Sequence, residues 1–174
     1  GFIIEDSLAA ELDPLISGGT GSRSDSEEVP DFLPDRFEGG TMNLPGIFGL
    51  NASLQYLEKE GIGNILQHEQ TLSKRFSEGL AAFDCARIAG TEDPMKRAPV
   101  VSVDFTGRDN AEIAFLLDSQ YGIMTRCGLH CAPSAHKTLG TFPQGTVRFS
   151  IGPFNTPKEI DFAVDAIKAI LSTY

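Results

Sequence analysis

Tryptophan is absent from this 174-residue chain, and cysteine, histidine, methionine and tyrosine each occur three times. Three cysteines are too few, and odd in number, for a disulfide framework. That scarcity points to a reducing compartment, and the cytoplasm is the expectation. Basic charge is also short: 14 Lys and Arg stand against 24 Asp and Glu, a net charge of −10. A chain this acidic offers no basic face to a phosphate backbone, which excludes nucleic-acid binding. No apolar run approaches the ~20 residues of a membrane span, so no membrane partner is expected, and no leader pattern is present. An initiator methionine is missing too. The chain opens Gly1-Phe2-Ile3-Ile4-Glu5, as if inside a strand, and reads as a fragment.

What is present suits one core: 41% hydrophobic residues, 22% charged, and no repeat or low-complexity segment. Phe2–Ile4 has strand character, and 12–16 offers a second short strand around Pro14. Gly18-Gly19-Thr20-Gly21-Ser22 follows. It has no Lys-Ser/Thr ending and leads into more loop, which excludes an ATP-binding P-loop. Residues 22–43 are polar, with Pro30 and Pro34. A loop that long is uncommon inside a compact domain and usually covers something, here a partner subunit or another part of the protein.

From Pro45, the recurrence of Ile47, Leu50, Leu54 and Leu57 predicts a helix ending near Gly61 or Gly63. A second helix is expected over 64–83, with His68 as a structural histidine at the edge of its apolar stripe. Strands are expected at 86–88, with Cys85 packed inside, and at 100–105, with a polar turn over 92–97 between them. Asp109 or Asn110 caps a helix that Gly122 stops, and 123–126 reads as another strand. In 145–151, Val147, Phe149 and Ile151 fall on one face and Arg148 and Ser150 on the other. Thr156-Pro157-Lys158-Glu159 is a capping box that opens the last helix.

Reactive side chains concentrate in Arg126-Cys127-Gly128-Leu129-His130-Cys131-Ala132-Pro133. A thiol near a cation and an imidazole can become a nucleophile; the same residues can equally form a strand end and a packed turn. A zinc site from Cys127, His130, Cys131 and His136 is disfavoured by spacing, because His130 and Cys131 are adjacent and the usual paired ligands are missing. No metal is expected. A cysteine–histidine hydrolase is disfavoured because no orienting Asn or Asp is identifiable.

The run from Arg126 to Pro133, followed by Gly145-Thr-Val-Arg148-Phe-Ser-Ile-Gly-Pro-Phe-Asn155-Thr156, resembles the C-terminal part of the cysteine desulfurases. These are pyridoxal-phosphate enzymes of the class V aminotransferase family. Gly18–Ser22 and Arg36-Phe-Glu-Gly-Gly-Thr41-Met-Asn-Leu-Pro-Gly46 resemble the same family, in the same order. The resemblance implies an α+β fold, the C-terminal small domain of a fold-type-I aminotransferase with helices on one face of a small sheet. A loop and long helices from the junction of large and small domains would precede it. The implied division is 1–45 for the cofactor-domain remnant and dimer loop, 46–84 for connecting helices, and 85–174 for the small domain.

The activity implied is removal of sulfur from L-cysteine, with Cys131 as the nucleophile that carries the persulfide. Arg148 would grip the substrate carboxylate, Arg126 would assist near the substrate, and His130 would stand beside them with no fixed role. Thr41 would donate to the phosphate of pyridoxal 5'-phosphate held by the other subunit of a homodimer. A sulfur-acceptor protein would take the product. The family's Schiff-base lysine has no counterpart, since Lys137 follows the nucleophile and reads as a surface or turn lysine. Alone, the chain is expected neither to hold the cofactor covalently nor to turn over. Cys127, where the family often has a small or hydroxyl residue, reads as a buried strand cysteine, or else as a resolving thiol. A selenocysteine lyase, another class V aminotransferase and a non-catalytic stand-alone domain are the alternatives.

Overall fold

The structure, a computed structural model, describes residues 1–23, 25–91 and 93–173. They fall into two compact units, 1–57 and 58–174.

In the first unit the short helix α1 (Asp6–Ala9) and a 3-10 turn (Asp35–Phe37) precede α2 (Leu44–Glu60). Neither of the strands expected at 2–4 and 12–16 forms. A strand is stable only when its backbone groups find a ladder partner. Here the Leu12 carbonyl is taken instead by the Arg36 guanidinium, whose Nε and Nη2 donate to it at 3.1 and 2.8 Å. Phe2 packs edge-on against Phe37, with ring centroids 5.4 Å apart. α2 starts where Asn43 Oδ1 accepts from the Gly46 amide at 3.1 Å. Its expected apolar stripe, Ile47, Leu50, Leu54 and Leu57, is exposed, and no residue of the helix is buried. The long loop spans Ser24, which lies outside the described residues.

The second unit carries the core. Helix α3 (Ile62–Leu80) leads to β1 (Ala86–Ile88), β2 (Val100–Phe105), α4 (Asn110–Tyr121), β3 (Arg126–Gly128), α5 (Pro133–Leu139), β4 (Thr146–Ser150) and α6 (Pro157–Ser172). All strand pairs are antiparallel, in the order β1-β2-β4-β3. Alternation along β2 and β4 sends Val101, Val103, Phe105, Val147 and Phe149 into a core shared with Leu72, Phe76, Ile113, Leu117, Ile160 and Ile167 of α3, α4 and α6. Phe76 and Phe149 meet at 4.7 Å between centroids. α3 and α6 pack so closely at Gly79 that a Cβ there would stand 2.6 Å from Val164. The α6 capping box is formed: the Thr156 hydroxyl accepts from the Glu159 amide, and Glu159 accepts from the Thr156 amide at 2.7 Å. His68 bonds the Asn155 carbonyl at 2.9 Å, a structural contact that ties α3 to the turn before α6.

Several boundaries differ from expectation: α3 runs over Ile62–Leu80 rather than 64–83, and β4 over Thr146–Ser150 rather than 145–151. β3 begins at Arg126, because Ile123 is used by the helix stop, its amide donating to the Leu117 carbonyl at 2.9 Å. The segment from Pro133, to which the sequence assigned no element beyond a surface or turn lysine at Lys137, is the seven-residue helix α5, closed by Gly140 in the left-handed conformation. The polar stretch 92–97 contains a 3-10 turn at Pro94–Lys96, and Glu92 lies outside the described residues.

Candidate active site

The core face of the sheet is apolar, so by alternation the other face of β2, β3 and β4 carries Ser102, Asp104, Arg148 and Arg126. Arg126 and Arg148 stand directly opposite one another across the β3–β4 pair. Two like charges at that spacing repel, an arrangement that favours an anion between them. Arg148 is half-buried, and its Nε is fully buried with no hydrogen-bond partner. A buried donor without an acceptor has lost its water for nothing in return. Asp104, the nearest acid in the register, is already taken by Arg87 of β1, Nη2 to Oδ2 at 3.0 Å.

The β3–β4 pair is held by bare backbone. Gly145 has φ of +77°, and a Cβ on it would overlap the Gly128 carbonyl, so the two glycines pack main chain against main chain. Asn110, fully buried, anchors the Gly145 side: its Nδ2 donates to the Gly145 carbonyl and to Asp104 Oδ1, both at 3.1 Å, while its Oδ1 accepts from the Phe105 amide. The helix N-cap itself is Asp109, which accepts from the Ala111 amide. This leaves Asn110 as a site-supporting residue. The sequence marked it only as a capping alternative.

Beyond Gly128 the chain turns sharply. His130 and Cys131 both have positive φ, 50° and 60°, a conformation that side chains other than glycine rarely adopt. The turn presents Cys131 to solvent with Sγ 3.8 Å from Arg126 Nη2. The His130 Nε2–H reaches back to the Arg126 carbonyl at 2.9 Å. Partial burial pushes the His130 imidazole below its ordinary value; the carbonyl bond opposes this, while Arg148, His136 and Arg126 add to it.

His136 of α5 is buried and bonds Thr141 Oγ1 through Nδ1 at 2.7 Å. Lys137 lies over the Phe142 ring at 5.1 Å, a surface cation–π contact. Cys127 pairs with Val147 and packs against the core, on the face away from Arg126. Burial, and secondarily Asp109, pushes its thiol above the ordinary value, as expected of a packed strand cysteine. Cys131, by contrast, is exposed. All three cysteines are free. Among the described residues no group of three or more His, Cys, Asp and Glu could hold a metal ion. No described helix is long and apolar enough to cross a membrane.

Thr41 belongs to the first unit and is exposed. Beside it the two glycine-rich stretches lie together: the Gly40 amide donates to the Gly19 carbonyl at 2.9 Å, and a Cβ on Gly39 would come within 3.1 Å of the Gly18 nitrogen. This side-chain-free cradle next to a hydroxyl has the chemistry of a phosphate seat. A cavity of about 490 Å³ lined by Phe76, Tyr121, Phe149, Ile160 and Phe162 includes none of the site residues and belongs to the packing of α3, α4 and α6.

In the second unit an exposed thiol thus stands beside a guanidinium, with two arginines facing one another across β3 and β4. The model of the aminotransferase class-V family matches residues 2–162, and the chain belongs to that family. It is 34% identical over 166 residues to a probable cysteine desulfurase of Methanothermobacter thermautotrophicus, covering 94% of this chain and 41% of that protein. With a probable cysteine desulfurase of Pyrococcus abyssi it shares 36% identity over 163 residues, 92% of this chain and 39% of that one. Among solved structures, the apo cysteine desulfurase of Thermococcus onnurineus superposes with a TM-score of 0.78 at 35% identity, over 93% of this chain and 40% of that one. The Escherichia coli cysteine desulfurase CsdA, in an S-sulfonic acid form, gives 0.80 at 27% identity, over 97% and 41%. The fold is thus that of the fold-type-I cysteine desulfurases. The chain spans about 40% of the length of these relatives.

Proposed function

We propose that the protein is the C-terminal part of a pyridoxal-phosphate-dependent cysteine desulfurase. The full-length enzyme converts L-cysteine and the Cys131 thiol into L-alanine and a Cys131 persulfide. The carrying observation is the joint placement of an exposed thiol 3.8 Å from Arg126 Nη2 and a facing Arg148 whose Nε is buried without a partner. Arg148 supplies the grip on the substrate carboxylate, in the fork geometry that suits a planar anion. Arg126 provides positive charge where the sulfur changes hands. The substrate sulfur passes to Cys131 Sγ, and the proton balance closes with alanine as the leaving product.

When bound, pyridoxal phosphate supplies the electron sink that makes the carbon–sulfur bond of cysteine breakable. In this chain the glycine cradle and the Thr41 hydroxyl fit its phosphate, from across a homodimer. Lys137, engaged over Phe142, does not fit the role of its Schiff-base partner. In this reading residues 1–45 serve the cofactor domain, 46–84 connect, and 85–174 form the small domain. A sulfur-acceptor protein is the expected recipient, and the free cysteines suit the cytoplasm.

In the full-length holoenzyme, Cys131→Ala should abolish sulfide release from L-cysteine and leave the cofactor absorbance in place. Undiminished release would overturn the nucleophile assignment. Running the same variant on L-selenocysteine separates the lyase alternative, which should retain turnover.

A further inference from the structure

His130 is adjacent to the sulfur-accepting cysteine, and an adjacent imidazole invites the role of base or substrate contact. The geometry points to a different one. We infer that His130 is a positioning residue: its ring clamps the turn that holds Cys131 Sγ beside Arg126. The inference rests on the reading of Cys131 as the reacting thiol.

Several observations converge on the clamp. His130 and Cys131 occupy consecutive left-handed conformations, φ 50° and 60°. Neither is a glycine, so surrounding contacts must hold them there. One such contact is the bond from His130 Nε2–H to the Arg126 carbonyl, 2.9 Å, which spans the turn from its first residue to the one before the thiol. Arg126 therefore meets the turn twice, with its carbonyl on His130 and its guanidinium on Cys131 Sγ. The Ala132 amide closes the same turn on the Leu129 carbonyl at 2.8 Å. Behind the ring stands His136, 5.7 Å away between centroids, itself buried and fixed by Thr141. The ring is thus bonded at one edge and packed against a fixed neighbour.

The bond also fixes the tautomer. A proton on Nε2 leaves Nδ1 with a lone pair, and the flanking guanidiniums of Arg126 and Arg148 oppose a second proton. A neutral amide donor can therefore replace the clamp. A general base cannot be replaced that way, because an amide has no titratable nitrogen.

The test is the rate of carbamidomethylation at Cys131 in the full-length protein, read by peptide mass between pH 5.5 and 9. A thiol held beside a cation reacts faster than one that has swung away. His130→Gln keeps a donor and should react within about threefold of the parent, with the same pH profile. His130→Ala loses the donor and should slow about tenfold, as expected for a left-handed pair released from its restraint. His130→Gly, which tolerates positive φ, should slow similarly for want of the clamp, and it decides the matter if the alanine variant does not fold. Parent-like rates for both His130→Ala and His130→Gly would overturn the clamp. So would a His130→Gln variant that is slow and has lost an acidic limb of the profile, since that would make His130 a base. Alkylation needs neither cofactor nor cysteine turnover. A failed clamp is thereby distinguishable from a failed desulfurase reading, which sulfide release from Cys131→Ala tests separately.

Discussion

Arg148 reaches the polar face of the sheet from a strand whose neighbours are apolar, and a buried Nε there has no partner within the chain. On the proposed reading, the substrate carboxylate would supply the missing acceptor. Lysine keeps the charge but not the fork, so Arg148→Lys should lower kcat/KM for L-cysteine by about 30-fold, chiefly through KM. Steady-state kinetics of the full-length enzyme check this, and an unchanged KM would remove Arg148 from the carboxylate site. The face on which Arg148 lies was legible in the sequence, because Val147, Phe149 and Ile151 alternate with it. So was the packing of Cys127. The left-handed pair at His130 and Cys131 was not, since propensity assigns positive φ to glycine and here the side-chain contacts of Arg126 and His130 across the turn hold it.

At the scale of elements, β3 and β4 depend on a contact between two glycines. A methyl group at Gly145 would overlap Gly128 and sit on a backbone with φ of +77°. Gly145→Ala should therefore cost about 3 kcal/mol or more, measured as a shift in the denaturant midpoint. A loss below about 0.5 kcal/mol would show that the strands can part to admit it. Elements with strong local signals, such as the capped α6 and the alternating β2, could be read directly. Helix α5 could not, because seven residues give too little periodicity to recognise. The strands expected at 2–4 and 12–16 failed for the opposite reason: local character was present, but no ladder partner was. Asn110 fell between these cases, since a buried side chain serving three elements looks in sequence like any helix-start asparagine.

Across the whole molecule, burial is concentrated in 58–174. Among the described residues of 1–57 only Ala9 and Pro30 are buried, whereas Val101, Val103, Phe105 and Val147 are wholly covered. In the 174-residue chain, amides of β2 and β4 should exchange with deuterium at least about 100-fold more slowly than those of 1–43. Mass-resolved hydrogen exchange checks this, and equal protection in both would contradict the distribution of the core. The order of the motifs along the chain was legible from composition and spacing, but this imbalance was not, because apolar residues are plentiful in both units. The meeting of Gly128 with Gly145 carries one more consequence. Residues 129–144, with the thiol at their start and α5 in their middle, leave and rejoin the sheet at a single point. Such an excursion behaves as a cartridge: a donor sequence of different length could be transplanted into it, changing what surrounds Cys131 while the strands beneath keep their register.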